Sequence, residues 1–148
     1  MTASMSEAKN WIAAFRLRTL PLALSSIGLG SFLAAFERQM RWDVLILAAM
    51  STVFLQVLSN LANDYGDSRH GADHADREGP SRAVQSGAIS PNSMKNAIYL
   101  FMLLSLVSGI ALLFVAIEHL DVKFIVLLTL GIMAIGAALN YTMGNNPY

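Results

Sequence analysis

The sequence contains no cysteine among its 148 residues. Disulfide cross-links, thiolate nucleophiles and cysteine-ligated metals are therefore excluded, and the redox compartment leaves no mark on it. Charge is also scarce. Only 14% of the residues are charged, against about 25% in ordinary soluble domains. The ten basic and ten acidic side chains cancel, which gives no support to nucleic-acid binding. No charged side chain occurs in 19–36, 44–63, 96–117 or 124–148.

Those uncharged stretches set the fold class. Crossing the hydrocarbon core takes about 20 mainly apolar residues as a helix. We read four transmembrane helices, roughly 20–36, 44–63, 97–117 and 123–142, in an all-α, multi-pass membrane bundle. A spanning β-strand would alternate apolar and polar residues, whereas Ile98–Val107 and Phe124–Ala138 are nearly continuous apolar runs. Four such windows in so short a chain leave too little polar surface for a soluble core. Nothing resembles a cleavable signal peptide: Arg16 and Arg18 precede an apolar run that continues too long and lacks a cleavage site.

Basic residues orient the bundle. One side carries Lys9, Arg16, Arg18, Arg69, Arg77, Arg82 and Lys95, and the other carries Arg38, Arg41 and Lys123. This imbalance predicts that the N-terminus, the loop over 64–95 and the C-terminus lie in the cytoplasm; the location expected for a bacterial chain is the inner membrane. The connections 37–43 and 118–121 are short and predict simple helical hairpins. Residues 1–15 read as a weakly amphipathic lead-in, with Trp11 and Phe15 dipping into lipid. Small residues recur at helical spacing (Ser26, Gly30 and Ala34; Ser105 and Gly109; Ala134 and Ala138). They predict close helix approach rather than chemistry. Within 64–95, glycines and prolines preclude one uninterrupted helix. A short helix between Asn92 and the membrane, capped by Ser90 or Asn92 with Pro91 near its start, is expected.

Against this apolar background, five acidic residues crowd positions 64 to 78: Asp64, Asp67, Asp73, Asp76 and Glu78. Ahead of them Gln56, Asn60, Asn63 and Asp67 follow at i, i+4, i+7 and i+11, which at about 100° per residue places them on one face. A polar stripe in a membrane helix is costly unless it faces a cavity or a partner. Interhelical hydrogen bonding by Gln and Asn is the plain alternative, evenly balanced for Gln56 alone. The run into Asp64 and Asp67 favours function. Mg²⁺ takes one or two carboxylates and fills its octahedron with water and phosphate oxygens. We therefore name Asn63, Asp64, Asp67 and Asp73 as candidate metal ligands, with Asp64 and Asp67 as the catalytic pair. Arg69, Arg77, Arg82 and Lys95 supply positive charge for a diphosphate. Arg16, Arg18, Gln56, Asn60 and Tyr141 are candidates for lining the substrate cavity; Tyr141 also suits the interfacial aromatic belt. His70 and His74, four apart, are a poor zinc pair because oxygen ligands dominate around them.

Asn63-Asp64-x-x-Asp67 resembles the first Asp-rich motif of the UbiA superfamily of intramembrane aromatic prenyltransferases. Arg16–Ala23, Leu58–Asp67 with Gly71 and Asp73, Gly79–Ser90 and Asn140–Tyr148 resemble the naphthoate branch of that superfamily, and the likeness covers essentially the whole chain. Gly71 stands where many members place a third Asp, and Asp73 two residues later follows the naphthoate spacing. The resemblance implies a Mg²⁺-dependent enzyme of menaquinone biosynthesis. It would transfer a polyprenyl group from polyprenyl diphosphate to 1,4-dihydroxy-2-naphthoate, forming demethylmenaquinone. Members are about twice this long and carry a second Asp-rich motif. The remaining acids here are Glu7, Glu37, Asp43, Glu118 and Asp121, so the chain is expected to be the N-terminal half, inactive without the C-terminal half. The alternative is a non-catalytic membrane remnant or a small helical module that binds divalent cations.

Overall fold

A computed structural model describes residues 2–70, 82–117 and 119–143. Five helices follow in order: α1 (Thr2–Phe15), α2 (Leu20–Phe36), α3 (Trp42–His70), α4 (Pro91–Ala116) and α5 (Val122–Met143), with a 3₁₀ turn at Leu17–Thr19. Among the described residues there is no strand. Four helical segments are long and apolar enough to cross a membrane: Ser6–Phe36, Trp42–Arg69, Pro91–Ala116 and Val122–Tyr141.

Helix α3 is the axis of the bundle. It packs most extensively on α4, then on α5 and α2, and its polar end also meets α1. The buried core gathers at that end: Val57, Leu58, Leu61 and Tyr65 of α3 pack with Ala14 of α1, Ala83 and Ile89 of the 82–89 turn, and Met94 and Ile98 of α4. By contrast, α2 has no buried residue, and Leu22, Phe32 and Phe36 are exposed. An apolar surface of this kind is what lipid contact requires.

Three expectations are revised. The polar segment begins later than residue 64: α3 continues to His70. Tyr65 and the carboxylates of Asp64 and Asp67 are buried, so tertiary contacts carry the helix past the apolar run. Trp11 and Phe15, expected to dip into lipid, are half-buried and pack against the core cluster. Phe15 meets Phe101 edge to face at 5.4 Å, a favoured aromatic geometry. At the glycines of the small-residue stripes the helices do not approach closely. A Cβ added at Gly30 or Gly109 would meet nothing within 4 Å. Ser26, Gly30 and Ala34 line a hollow between α2 and α3, and Ser105, Gly109 and Ala134 line an apolar one of about 420 Å³ among α3, α4 and α5.

Other local signals appear as expected. The Ser90 side chain caps α4, accepting from the Ser93 N–H, with Pro91 in the first turn. Helix α4 then runs unbroken from this cap through the apolar span, so the expected short helix and transmembrane helix are one. At the opposite end two local features mark where α2 stops and α5 starts. Arg38 takes the left-handed conformation that ends α2, and its N–H donates to the Ala35 carbonyl. Asp121 accepts from the N–H groups of Lys123 and Phe124 to start α5.

Candidate functional site

The polar end of α3 presents Asn60, Asp64 and Asp67 at i, i+4 and i+7, hence on one face. All three are buried, and each reaches a different neighbour. Asn60 Nδ2 donates to the Phe15 carbonyl at 2.9 Å and to Thr19 Oγ1 at 3.3 Å, which fastens the end of α1. The chain leaves α1 through Arg16, whose left-handed backbone (φ 51°, ψ 52°) is costly for a residue with a Cβ. The break is held because the Arg16 carbonyl accepts both the N–H and the hydroxyl of Thr19. Gln56 Nε2 lies 3.5 Å from Asn60 Oδ1, a long contact. For Asn60, bonding to a neighbouring segment is the role that is visible; the contact of Gln56 is to Asn60 of its own helix.

Asp64 and Asp67 both engage the turn that precedes α4. Asp64 Oδ2 accepts from the Ala83 N–H at 3.0 Å, and Oδ1 accepts from the Val84 N–H at 3.1 Å. Asp67 forms an ion pair with Arg82, and both side chains are at least 95% buried. Three consecutive residues, Arg82 to Val84, thus hold two carboxylates one helical turn apart. The turn has its own order: the Ser86 N–H donates to the Arg82 carbonyl, and the Ile89 N–H donates to that of Ala83. Gly87 takes a positive φ of 72°, which glycine adopts readily. The Asn10 side chain donates to the Ala88 carbonyl, so α1 touches the same turn.

The other sequence candidates are placed as follows. Arg16, Arg18 and Asp64 line a cleft of about 480 Å³, together with Ile12, Leu17 and Ala83. Gln56, Asn60 and Tyr141 are not among its walls. Tyr141 is exposed at the end of α5. Asn63 is partly buried on the flank of the Asp face. Arg69 is exposed, and its guanidinium lies 6.0 Å from the Tyr65 ring centroid, within cation–π reach. Lys95 is exposed on α4. Asp73, Arg77 and His74 lie outside the described residues. The backbone N–H groups of Ala83 and Val84 belong to the site but carry no side-chain signal in the sequence.

The donor chemistry at Asn63, Asp64 and Asp67 suits a hard divalent cation. In this structure those carboxylates are engaged within the chain. Both Asp64 oxygens accept backbone N–H groups, and a guanidinium already faces Asp67. Among the described residues no group of three His, Cys, Asp or Glu side chains could hold a metal ion.

The model of the UbiA prenyltransferase family matches residues 23–144. The chain belongs to the UbiA prenyltransferase family. It is 42% identical over 144 residues to 1,4-dihydroxy-2-naphthoate octaprenyltransferase of Escherichia coli K12, covering 97% of this chain and 46% of that one. It is 44% identical over 142 residues to the protein of the same name from Haemophilus influenzae, covering 95% of this chain and 46% of that one. A third relative of that name, from Mycobacterium tuberculosis, is 32% identical and covers 97% of this chain and 47% of its own length. The chain thus spans about half the length of the curated relatives it matches. No solved structure matches it. Membership in the family and the four long apolar helices make this a multi-pass membrane protein.

Proposed function

We propose that this chain supplies the polar end of a UbiA prenyltransferase that transfers a polyprenyl group from its diphosphate to 1,4-dihydroxy-2-naphthoate in menaquinone biosynthesis. The observation that carries the reading is identity of 42–44% to two octaprenyltransferases of that name along nearly the whole chain. In the reaction, the bond between prenyl C1 and the diphosphate oxygen breaks, and its electron pair leaves with diphosphate. A carbon–carbon bond forms to the ring, the ring carboxylate departs as CO₂, and its bonding pair restores aromaticity. The product is demethylmenaquinone in its hydroquinone form.

Within this reading, Arg69, Arg77, Arg82 and Lys95 offer positive charge to the diphosphate, where charge builds on the leaving group. The Arg16–Arg18 cleft beside Asp64 would receive part of a substrate. Apolar helices would keep water from an allylic cation. Mg²⁺ is the proposed cofactor, drawn to the oxygen donors Asn63, Asp64, Asp67 and Asp73; when bound it would neutralise phosphate charge. The basic-residue imbalance supports a cytoplasmic Asp-bearing end, and for a bacterial protein the proposed location is the inner membrane. Because the chain spans half of its relatives, we propose that it turns over only with a complementary second half.

The test uses membranes carrying this chain, alone or co-expressed with the second half of the Escherichia coli relative. They receive labelled polyprenyl diphosphate, dihydroxynaphthoate and Mg²⁺. Labelled prenyl naphthoquinol should form with the complement present and be lost on Asp67→Ala. No product under either condition would remove the reading and favour a non-catalytic membrane module.

A further inference from the structure

The apolar cavity among α3, α4 and α5 has a definite shape. Its wall runs from Val44 to Leu55 on α3 and from Ser105 to Ala116 on α4. At about 1.5 Å per residue, both stretches are about 16 Å long. A volume of about 420 Å³ over that length gives a mean cross-section of about 26 Å², whereas a helix ~10 Å across needs roughly 80 Å². The cavity is thus a slot, too thin for a helix and wide enough for one hydrocarbon chain. A cavity of about 150 Å³ takes benzene, so this one has room for on the order of 17 carbons. Glycine makes the room: a Cβ at Gly109 or Gly131 of the wall would meet nothing within 4 Å. The hydroxyls on the wall are turned back onto their own helices, Ser51 Oγ donating to the Leu47 carbonyl and Ser105 Oγ to that of Phe101. Such a wall gains dispersion contacts from a chain that fills it.

Two observations set the route of entry. Toward the Asp-bearing end, Leu55 and Ile135 of the wall pack against the core, where Leu58, Leu61 and Met94 are fully buried. No chain reaches the slot from that end without crossing the core. At its side the slot is open. Leu127 and Ile132 line it and are also exposed on the apolar surface of α5, beside Leu130 and Met133. The slot is therefore continuous with the lipid-facing surface. Its length of about 16 Å matches half of a hydrocarbon core ~30 Å thick.

We propose that this slot binds one acyl chain of a membrane phospholipid, taken sideways from the leaflet opposite the Asp-bearing end. The inference stands apart from the prenyl-transfer reading and needs only that the bundle lies in a bilayer. The acyl chain does for the far end of α3 what side chains do at its polar end: it fills the space between helices and holds α3, α4 and α5 together.

The test places the chain in nanodiscs of phosphatidylcholine that carries a diazirine midway along one acyl chain. After irradiation, mass spectrometry maps the adducts. They should form at Ala48 and Ile110, half-buried on the slot walls, as well as at Phe32, exposed on α2. Gly109→Leu puts a side chain into the slot and should remove the Ala48 adduct while leaving the one at Phe32. Ala134→Leu, on the open wall, gives the same comparison should Gly109→Leu fail to fold. A polyprenyl diphosphate with the diazirine at its far end should leave Ala48 unlabelled. Adducts at Phe32 without any at Ala48, or an Ala48 adduct that survives the filling variants, would overturn the proposal. So would labelling of Ala48 by the prenyl probe, which would make the slot a site for the substrate tail. Loss of the Ala48 adduct on co-expression with the second half of the Escherichia coli relative would overturn it as well, because a partner segment would then cover the slot.

Discussion

Helix α3 is held differently at its two ends. From Val57 to Asp67 it is locked by side chains that each reach another segment: Asn60 to α1, Asp64 and Asp67 to the 82–84 turn, and Leu58 and Leu61 into the core. From Val44 to Leu55 it borders two hollows, with Val44 and Ala48 lining both. The difference lies in the kind of force available. Inside a bilayer there is no water to release, so apolar contact gives helices little reason to choose a partner, and polar contacts and close packing must do so. The polar end has both, and the far end has small residues without closure. Specificity of assembly therefore resides where the candidate site is, and site and scaffold cannot be altered separately there.

The largest effect should come from breaking the buried ion pair. Removing one partner of such a pair strands a charge and costs about 3–5 kcal/mol, whereas replacing both by apolar residues is often neutral. Arg82→Met alone should therefore lower the thermal midpoint strongly in detergent. The double variant Arg82→Met with Asp67→Leu should recover most of the loss. A double variant no better than the single one would show that the polar end is not held by charge pairing.

Next comes Asp64. Hydrogen bonds to charged groups contribute about 1.5–3 kcal/mol each, and Asp64 accepts two from the turn. Asp64→Ala should destabilise the 82–89 turn more than any change at an exposed residue of the same end, such as Arg69→Ala. Hydrogen exchange at the Ala83 and Val84 amides should accelerate, with the amides of the opposite-end hairpins unaffected. Uniform acceleration across the bundle would dissolve the distinction between the ends.

Asn60→Ala should act more locally. It removes the tie to the Phe15 carbonyl, worth roughly 1 kcal/mol for a neutral hydrogen bond, while Ala14 and Phe15 keep their apolar contacts. Faster amide exchange confined to α1 and the Leu17–Thr19 turn is the expected outcome. Exchange unchanged in α1 would mean that apolar contact alone docks it.

These contacts also mark how far the sequence could be read. Four long apolar helices were visible because uncharged runs of that length have few other uses, and the Ser90–Pro91 cap was visible because its chemistry is local. The extension of α3 to His70 was only half visible: helical spacing carried the polar face to Asp67, but the end of the apolar run put 64–95 in a loop until the partners of Asp64 and Asp67 are known. Those partners, Arg82 to Val84, come from a turn with no periodicity, and two of the three interact through backbone N–H groups that every residue has. The docking of α1 was hidden for a similar reason: Trp11 and Phe15 suit a lipid interface and an aromatic contact with Phe101 equally well. Asn63-Asp64-x-x-Asp67 could be read as a motif, but its present occupant could not.

The far end supplies the smallest effect and the sharpest contrast. At Gly30 and Gly109 a Cβ would meet nothing within 4 Å, and neither glycine has the positive φ seen at Gly87. Alanine in such a helical position removes unfolded-state freedom at no steric cost, which typically stabilises by about 0.4–1 kcal/mol. Gly30→Ala and Gly109→Ala should therefore be neutral or slightly stabilising in the isolated chain. A small-residue stripe in close contact with another helix would respond the opposite way, because the added methyl would push the helices apart. Repeating the melt with the second half of the Escherichia coli relative present separates the two cases. A penalty that appears only in the assembly would show that these hollows close on a partner helix, and that the looseness of the far end belongs to the isolated chain.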